Sequence, residues 1–273
     1  MPLSNQVTLS DSEFSQFRQL IHDIAGINLS EAKKPLVAGR LSKRLRTLGM
    51  AAYGEYFRLV GKDATELQTC VDLLTTNETY FFREPKHFDF LRELLQKPGT
   101  IPSGRPLRIW SGACSSGEEP YTLALLLAER LGERPWEILA SDISQRILSQ
   151  ARNGVYDLED GQSIPRHLLV KYCLRGVDDN QGRMMIAPAL RQRVRFAQIN
   201  LNNALPDVGL FEVIFLRNVM IYFDADTKRQ VVARLLKHLR PGGHFIISHS
   251  ESLNGITDTL KAVKPSIYQK PDA

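Results

Sequence analysis

Two adjacent carboxylates, Glu118 and Glu119, follow a run of small residues in RIWSGACSSGEEPYTLA (108–124). The apolar run LRIWSG (107–112) reads as a buried strand that delivers a loop, Gly112 to Gly117, onto the first turn of a helix over 117–132. Small residues let a ligand approach the backbone, and a helix N-terminus presents unpaired N–H groups. The spacing departs from the dinucleotide pattern GxGxxG, and the GK[ST] of a phosphate-binding loop is missing. Carboxylates in this first turn would repel a pyrophosphate and suit a ligand bringing an ammonium or a sulfonium. Their structural alternative is complementation of the helix dipole. Asp142 ends the next strand, WEILASD (136–142), where an acid accepts hydrogen bonds from ribose hydroxyls in nucleotide-binding sheets.

A sugar-binding acid beside phosphate-repelling acids points to a nucleoside that carries positive charge and no phosphate. S-adenosylmethionine meets both conditions. Other chemistry finds little support. The six histidines form no obvious cluster, and no Ser/His/Asp set is visible. Cys114 lies in the loop, but no cysteine follows a proline, as a Pro-Cys nucleophile would require. The three cysteines (Cys70, Cys114, Cys173) contain no CxxC, which excludes a disulfide framework and a cysteine-built zinc site and fits a reducing cytosol. No metal is expected.

The elements around these residues divide the chain in two. The first hundred residues read as helices. In SDSEFSQFRQLIHDIAG, Phe14, Phe17, Leu20, Ile21 and Ile24 recur at three- and four-residue steps between a Ser10 cap and Gly26. Further helices are expected over about 30–48, over 53–59, and from Asp63, where Glu66 completes a capping-box pattern. A helix over 85–96 precedes the Pro/Gly-rich linker 97–106. Beyond it strands (107–112, 136–142, 194–200, 211–218, 242–250 and 262–270) alternate with helices (117–132, 144–154 and 224–239), which implies a doubly wound, mostly parallel α/β sheet. One stretch, 172–195, holds a Gly/Asp/Asn turn cluster between short alternating runs and reads as a hairpin-like insertion.

Taken in order, TTNETYFFREPKHF (75–88), SGACSSGEEPYTLA (111–124), ASDIS (140–144), INLN (199–202), LRNVMIYFD (216–224) and LRPGGHFIISHSE (239–251) resemble the bacterial chemotaxis receptor methyltransferases, the CheR family. The resemblance spans essentially the whole chain. It implies a Rossmann-like class I methyltransferase domain over 107–273 with a small antiparallel β-subdomain at 172–195, reached through helix and linker 81–106. An all-α receptor-docking domain over 1–80 would precede them. The implied reaction moves a methyl group from S-adenosylmethionine to glutamate side chains on a chemoreceptor's cytoplasmic helices, leaving a γ-glutamyl methyl ester and S-adenosylhomocysteine. Matching positions assign cofactor contacts to Asn77, Thr79, Arg83, Gly112, Ala113, Glu118, Asp142, Ile143, Asn200, Leu201, Arg217 and Asn218. Asp142 would hold the ribose, and Asn200 and Leu201 would lie beside the adenine.

A glutamate acceptor, whose side chain ordinarily titrates at ~4.3, is already a carboxylate at neutral pH. No base is needed, and catalysis reduces to positioning and desolvation. Arg83 and Tyr222 are the candidates for orienting the acceptor, through a guanidinium fork and a phenol donor. The structural alternatives are an ion pair of Arg83 with Glu84 or Asp89, and a core aromatic at Tyr222. In KKPLVAGRLSKRLRTLG (33–49) an apolar stripe of Val37, Leu41, Leu45 and Leu48 runs beside a basic face with Arg40, Lys43, Arg44 and Arg46. A basic face is often merely solvated, but here it would dock an acidic receptor bundle, so charge reversal at Arg40 and Arg44 is expected to raise KM for receptor. In some members of the family the β-subdomain takes up a receptor's C-terminal peptide as an added strand.

Composition sets the outer limits. The chain has 273 residues, 43% apolar and 24% charged, an ordinary globular balance. Residues 1–20 lack the apolar core of a signal peptide and no apolar run approaches the ~20 residues of a membrane span, so a cytoplasmic, monomeric protein is expected. The net charge of +5 is too small to identify a nucleic-acid binder. A nucleic-acid methyltransferase would use [DNS]PP[YFW] where this chain has LRNVMIYF, and a non-catalytic adaptor would not need to keep Arg83, Asp142, Arg217 and Asn218.

Overall fold

The structure is a computed structural model and describes residues 7–272. It consists of two compact units: residues up to Thr76 together with Tyr222–Thr227, and Asn77–Ile221 together with the chain from Lys228.

The first unit is helical: α1 (Asp11–Ala25), α2 (Lys34–Leu48), α3 (Tyr53–Val60) and α4 (Ala64–Leu74). Ser10 opens α1 with a full capping box, its hydroxyl accepting from the Glu13 N–H (3.2 Å) while the Glu13 carboxylate accepts from the Ser10 N–H (2.9 Å). The other Glu13 oxygen accepts from the Gly54 N–H (2.8 Å) and ties α1 to the start of α3. Phe14, Phe17, Ile21, Val37, Leu41, Leu45, Tyr53, Tyr56 and Val60 are buried, as the helical spacing requires. The cap of α4 differs from expectation. Asp63 accepts from the Thr65 and Glu66 N–H groups, but the Glu66 carboxylate turns to Arg44 (2.8 and 2.5 Å) instead of closing a box.

The second unit opens with α5 (Lys86–Leu94) and then builds β1 (Leu107–Gly112), α6 (Glu118–Leu131), β2 (Trp136–Asp142) and α7 (Gln145–Asn153). A small segment follows: β3 (Val155–Asp157), α8 (Arg166–Tyr172), β4 (Cys173–Arg175), β5 (Arg183–Ile186) and α9 (Pro188–Arg191). The main sheet resumes with β6 (Val194–Gln198), β7 (Phe211–Leu216), α10 (Ala225–Leu236), β8 (Leu239–Ile246), β9 (Lys261–Lys264) and β10 (Ile267–Gln269). The strand order is β6-β2-β1-β7-β8-β10-β9, parallel from β6 through β8 and antiparallel beyond. The chain runs outward from β1 in one direction through β2 and β6 and in the other through β7 and β8. The carboxyl ends of β1 and β7 therefore flank a topological switch point, where open α/β sheets bind ligands.

Three expected boundaries shift. The helical unit ends at Thr76 rather than 80 and takes in Tyr222–Thr227, a return that local pattern cannot show. The insertion expected at 172–195 is a three-stranded sheet, β3-β5-β4, that begins at Val155 and ends at Ile186. Three-residue strands are too short to display a period, and residues 187–195 go instead to α9 and the start of β6. The tail strand expected at 262–270 is a hairpin, because Pro265 lacks an N–H to continue the ladder and Ser266 turns left-handed (φ 59°).

Candidate functional site

The loop after β1 is built from alternating left-handed residues, Ala113 (φ 56°), Ser115 (φ 51°) and Gly117 (φ 101°). For the non-glycines this conformation costs about 1–2 kcal/mol each, so something must hold it. The Ser115 N–H donates to the Asp142 carboxylate (2.9 Å), whose other oxygen accepts from the Ser144 N–H (3.0 Å), and the Cys114 N–H donates to the Ser141 carbonyl (2.9 Å). Asp142, buried at the end of β2, thus fastens the loop. The glycines serve packing more than ligand approach. A Cβ at Gly117 would meet the Tyr156 hydroxyl at 2.8 Å, and one at Gly112 would touch Leu216 and the Phe215 carbonyl at 3.4 Å.

The paired glutamates separate. Consecutive helical residues point about 100° apart, and here they enter different surroundings. Glu119 accepts from the Ser111 hydroxyl (2.7 Å) and from the Arg217 guanidinium (2.7 Å). Glu118 is buried, and its side-chain partner is the Ser116 hydroxyl (2.7 Å); among the described residues it forms no ion pair. Burial pushes its carboxyl above the ordinary value, only partly opposed by Ser116 and its own backbone N–H. A buried carboxylate with no cation of its own fits a cationic, phosphate-free nucleoside, and it is poorly suited to a diphosphate.

The segment 77–84 is sewn onto this loop and onto α6. The Asn77 carbonyl accepts from the Ser115 hydroxyl (2.9 Å), and the Phe82 N–H donates to the Thr122 hydroxyl (3.1 Å). Thr79 is half-buried on the same segment. The Arg83 side chain donates to the Glu78 carbonyl (2.7 Å) and lies over the exposed Tyr80 ring (5.6 Å). It pairs with neither of the acids that offered a structural alternative: Asp89 takes Arg92, and Glu84 takes Arg217.

Arg217 differs most from expectation. Its guanidinium is turned inward, 2% exposed, between Glu119 (2.7 Å) and Glu84 (3.3 Å), over the Phe88 ring (5.5 Å), and it donates to the Arg83 carbonyl (2.5 Å). Asn218, left-handed at φ 58°, donates its side-chain amide to the Ser248 hydroxyl (2.7 Å) and to Glu84 (3.3 Å). Ile143 and the 199–202 turn close the far side of Asp142. The Ile199 N–H donates to the Asp142 carbonyl (3.1 Å), the Gln198 amide to the Ile143 carbonyl (3.0 Å), and the Asn202 N–H to the Asn200 side chain (2.9 Å), with Leu201 buried beside them. The second unit therefore places Gly112, Ala113, Glu118, Asp142, Ile143, Asn200, Leu201 and Asn218 at or just beyond the carboxyl ends of β1, β2, β6 and β7, with Asn77 and Arg83 on the 77–84 segment tied to the β1 loop and α6. Tyr222 belongs to the helical unit. There its carbonyl accepts from the Asn28 N–H (2.7 Å), Phe223 bridges to Ile27, and its phenol lies within electrostatic reach of Arg40.

Glu84, weighed from sequence only as a partner for Arg83, is the residue whose role was missed. Burial alone would raise its pKa, but the Ser248 hydroxyl, Arg217, the His249 N–H and Asn218 together hold it down at about 2. Glu84, His87 and His249 bring potential metal-ligand atoms within 4.8 Å of one another. The Arg217 cation already compensates Glu84, and the Ser266 hydroxyl engages both rings (2.7 and 2.9 Å), so the cluster reads as a charge-balanced polar network. Cys114 is buried, and burial followed by the nearby Asp142 and Glu119 pushes its thiol up, away from nucleophilic chemistry.

His87 makes a prediction of its own. Burial, then the charges of Arg217 and His249, bring its pKa from 6.5 to about 3 against the pull of Glu84. Between those values the unfolded chain binds a proton that the native state refuses. Stability should therefore fall as pH drops, by up to ~1.4 kcal/mol per pH unit from this group. Urea unfolding at pH 7, 6 and 5 should show a slope that His87→Asn reduces by about that amount; an unchanged slope would refute the assignment.

Comparison with known proteins identifies the family. Residues 77–268 match the family model described as CheR methyltransferase, SAM binding domain, and residues 12–75 match CheR methyltransferase, all-alpha domain. Chemotaxis protein methyltransferase 2 of Pseudomonas aeruginosa is 42% identical over 94% of this chain and 92% of its own length. The chemotaxis protein methyltransferase of Escherichia coli is 38% identical, covering 98% of this chain and 94% of its own. That of Borreliella burgdorferi is 35% identical over 97% and 96%. With both of its domains matched and relatives aligned over nearly full length, the chain belongs to the CheR methyltransferase family.

Proposed function

We propose that this enzyme transfers the methyl group of S-adenosylmethionine to glutamate side chains on the cytoplasmic helices of a chemoreceptor, forming γ-glutamyl methyl esters. The observation that carries the reading is Glu118, a buried carboxylate that forms no ion pair among the described residues, at the start of the helix that follows β1. When bound, S-adenosylmethionine supplies a methyl group on a sulfonium leaving group, which an ionised acceptor carboxylate can take without a base. Glu118 would balance positive charge on the ligand and Asp142 would accept from the ribose, with Asn77, Thr79, Gly112, Ala113, Ile143, Asn200, Leu201 and the backbone of Arg217 and Asn218 supplying the remaining contacts. Arg83 would hold the acceptor carboxylate through its guanidinium. Incubation with tritiated S-adenosylmethionine and receptor-bearing membranes tests the reading. Base-labile label on receptor is expected; label in nucleic acid, or in none of the components, would overturn it.

The receptor surface is proposed on narrower grounds than the sequence suggested. Arg40 donates to the Leu74 and Thr75 carbonyls (2.9 and 3.0 Å) and closes the end of α4, while Arg44 forks onto the buried Glu66. Both charges are used inside the helical unit, so reversing them tests folding rather than docking. Lys43 and Arg46 are exposed and remain the docking candidates. Lys43→Glu with Arg46→Glu should raise KM for receptor roughly threefold to tenfold and leave S-adenosylhomocysteine affinity unchanged. Arg44→Glu should instead cost about 2–4 kcal/mol in urea unfolding, by facing Glu66 with a like charge. Unchanged receptor kinetics in the Lys43/Arg46 variant would remove this surface from the account.

In the small sheet, β4 lies at an edge with Leu174 and Val177 exposed (49% and 68%). That edge could accept a receptor C-terminal strand through main-chain hydrogen bonds. No helix among the described residues is long and apolar enough to cross a membrane. The reading is of a monomer acting from the cytoplasm on a protein substrate.

A further inference from the structure

Arg83 sits in a turn that should not hold itself. Its neighbours Phe82 (φ 57°) and Glu84 (φ 58°) are both left-handed, at a cost of about 1–2 kcal/mol each, and neither is glycine. The backbone is gripped at three points. The Phe82 N–H donates to the Thr122 hydroxyl (3.1 Å), the Arg83 carbonyl accepts from Arg217 (2.5 Å), and the Glu84 carboxylate accepts from Ser248 (2.7 Å), the His249 N–H (3.1 Å) and Asn218 (3.3 Å). The central grip is the Arg217 guanidinium, 2% exposed. A buried cation is retained only when its charge is met. Here Glu84 meets it from one side (3.3 Å) and Glu119 from the other (2.7 Å), and Glu119 is itself fixed by the Ser111 hydroxyl of β1 (2.7 Å).

We infer that Arg217, charge-balanced by Glu119 and Glu84, is a positioning device that locks the strained turn carrying Arg83. The inference rests on the proposed role of Arg83 in holding the acceptor and extends it to side chains that face one another inside the protein. Glu119 belongs to this device, unlike its neighbour Glu118. Among the described residues the Arg83 side chain meets one carbonyl and one ring face, while its backbone is held by a buried ion pair. A guanidinium that is to receive a carboxylate needs a fixed base and donors to spare.

The experiment is a double-mutant cycle on the full chain between Glu119→Gln and Arg83→Ala, with methyl transfer to receptor membranes as the kinetic readout. Glutamine keeps the shape and an acceptor for Ser111 but removes the counter-charge. Glu119→Gln is expected to lower kcat at least tenfold with Arg83 present and less than twofold without it, leaving the calorimetric Kd for S-adenosylhomocysteine within twofold. Hydrogen exchange of the 81–84 amides should accelerate at least tenfold, a readout independent of turnover. Equal losses in both backgrounds, a parallel loss of S-adenosylhomocysteine binding, or unchanged exchange would overturn the inference. If Glu119→Gln does not fold, Arg217→Lys carries the same cycle, since an ammonium keeps the charge but lacks the fork needed to reach Glu119 and the Arg83 carbonyl together. Absence of methyl transfer by the unaltered enzyme would defeat the proposed reaction, while the exchange result would still decide the lock.

Discussion

Replacing Glu118 by glutamine is expected to weaken S-adenosylmethionine binding by about 2 kcal/mol or more, roughly thirtyfold, because it removes the buried partner of a cationic ligand. The same change should raise the melting temperature of the ligand-free protein by roughly 2–4 °C. Glu118 is buried with one serine hydroxyl and no cation, so its charge is a cost to the fold that only a ligand offsets. Opposite signs for affinity and stability are the signature of a group kept for binding. The pH dependence follows with a defined sign. Burial raises the Glu118 pKa and a bound cation lowers it again, so binding should release protons in mildly acidic solution and weaken as pH falls. Calorimetry in buffers of different ionisation enthalpy measures that release. Equal affinity of the variant and the unaltered protein would show that Glu118 does not face the ligand's charge.

Loss of the Arg83 side chain is expected to have the largest effect on turnover. Arg83→Ala should reduce kcat by at least about a hundredfold, the cost of removing one preorganised group that orients a reactant. S-adenosylhomocysteine should still bind, because the residues around Glu118 and Asp142 are untouched. Arg83→Lys should recover little, since a lysine ammonium is a point charge without the planar fork that matches a carboxylate. Single-turnover methyl transfer together with the product's Kd separates the two parameters. A large fall in affinity with kcat preserved would make Arg83 a cofactor ligand alone and leave the acceptor without its partner.

The parts of the fold visible in the sequence are those whose physical cause is local. The capping residues Ser10 and Asp63, the buried runs of β1 and β2, the glycine that ends one and the acid that ends the other can all be read from a few neighbouring residues. Chain-distant partners cannot. Glu118 and Glu119 are the same residue type in the same helical turn. Only the arrival of Arg217 from the end of β7 distinguishes Glu119, which takes its charge, from Glu118, which does not. Arg40 and Arg44 lie on a basic face in the sequence, yet the C-terminus of α4 and the buried Glu66 engage them. Glu84 gave no signal beyond its place in the FFRE block, because its partners Ser248 and Asn218 come from loops more than a hundred residues away. Strands of three residues, as in the small sheet, lie below the length at which alternation means anything.

The backbone strain adds a point that no residue pattern could supply. Phe82, Glu84, Ala113, Ser115 and Asn218 are left-handed without being glycine, and all five lie in the loops that carry the proposed site. Such residues persist where the surroundings over-determine them. Here Asp142 restrains the 113–117 loop, and the ion pairs of Arg217 restrain the 82–84 turn. Both strained loops are thus held by partners from distant parts of the chain.

Titration calorimetry of the unaltered protein with S-adenosylmethionine, and separately with ADP, tests most directly whether this cavity selects a cationic nucleoside over a phosphorylated one. One equivalent of S-adenosylmethionine should bind, and ADP should neither bind nor compete. Binding of ADP at the same site, or no heat with S-adenosylmethionine, would contradict the account.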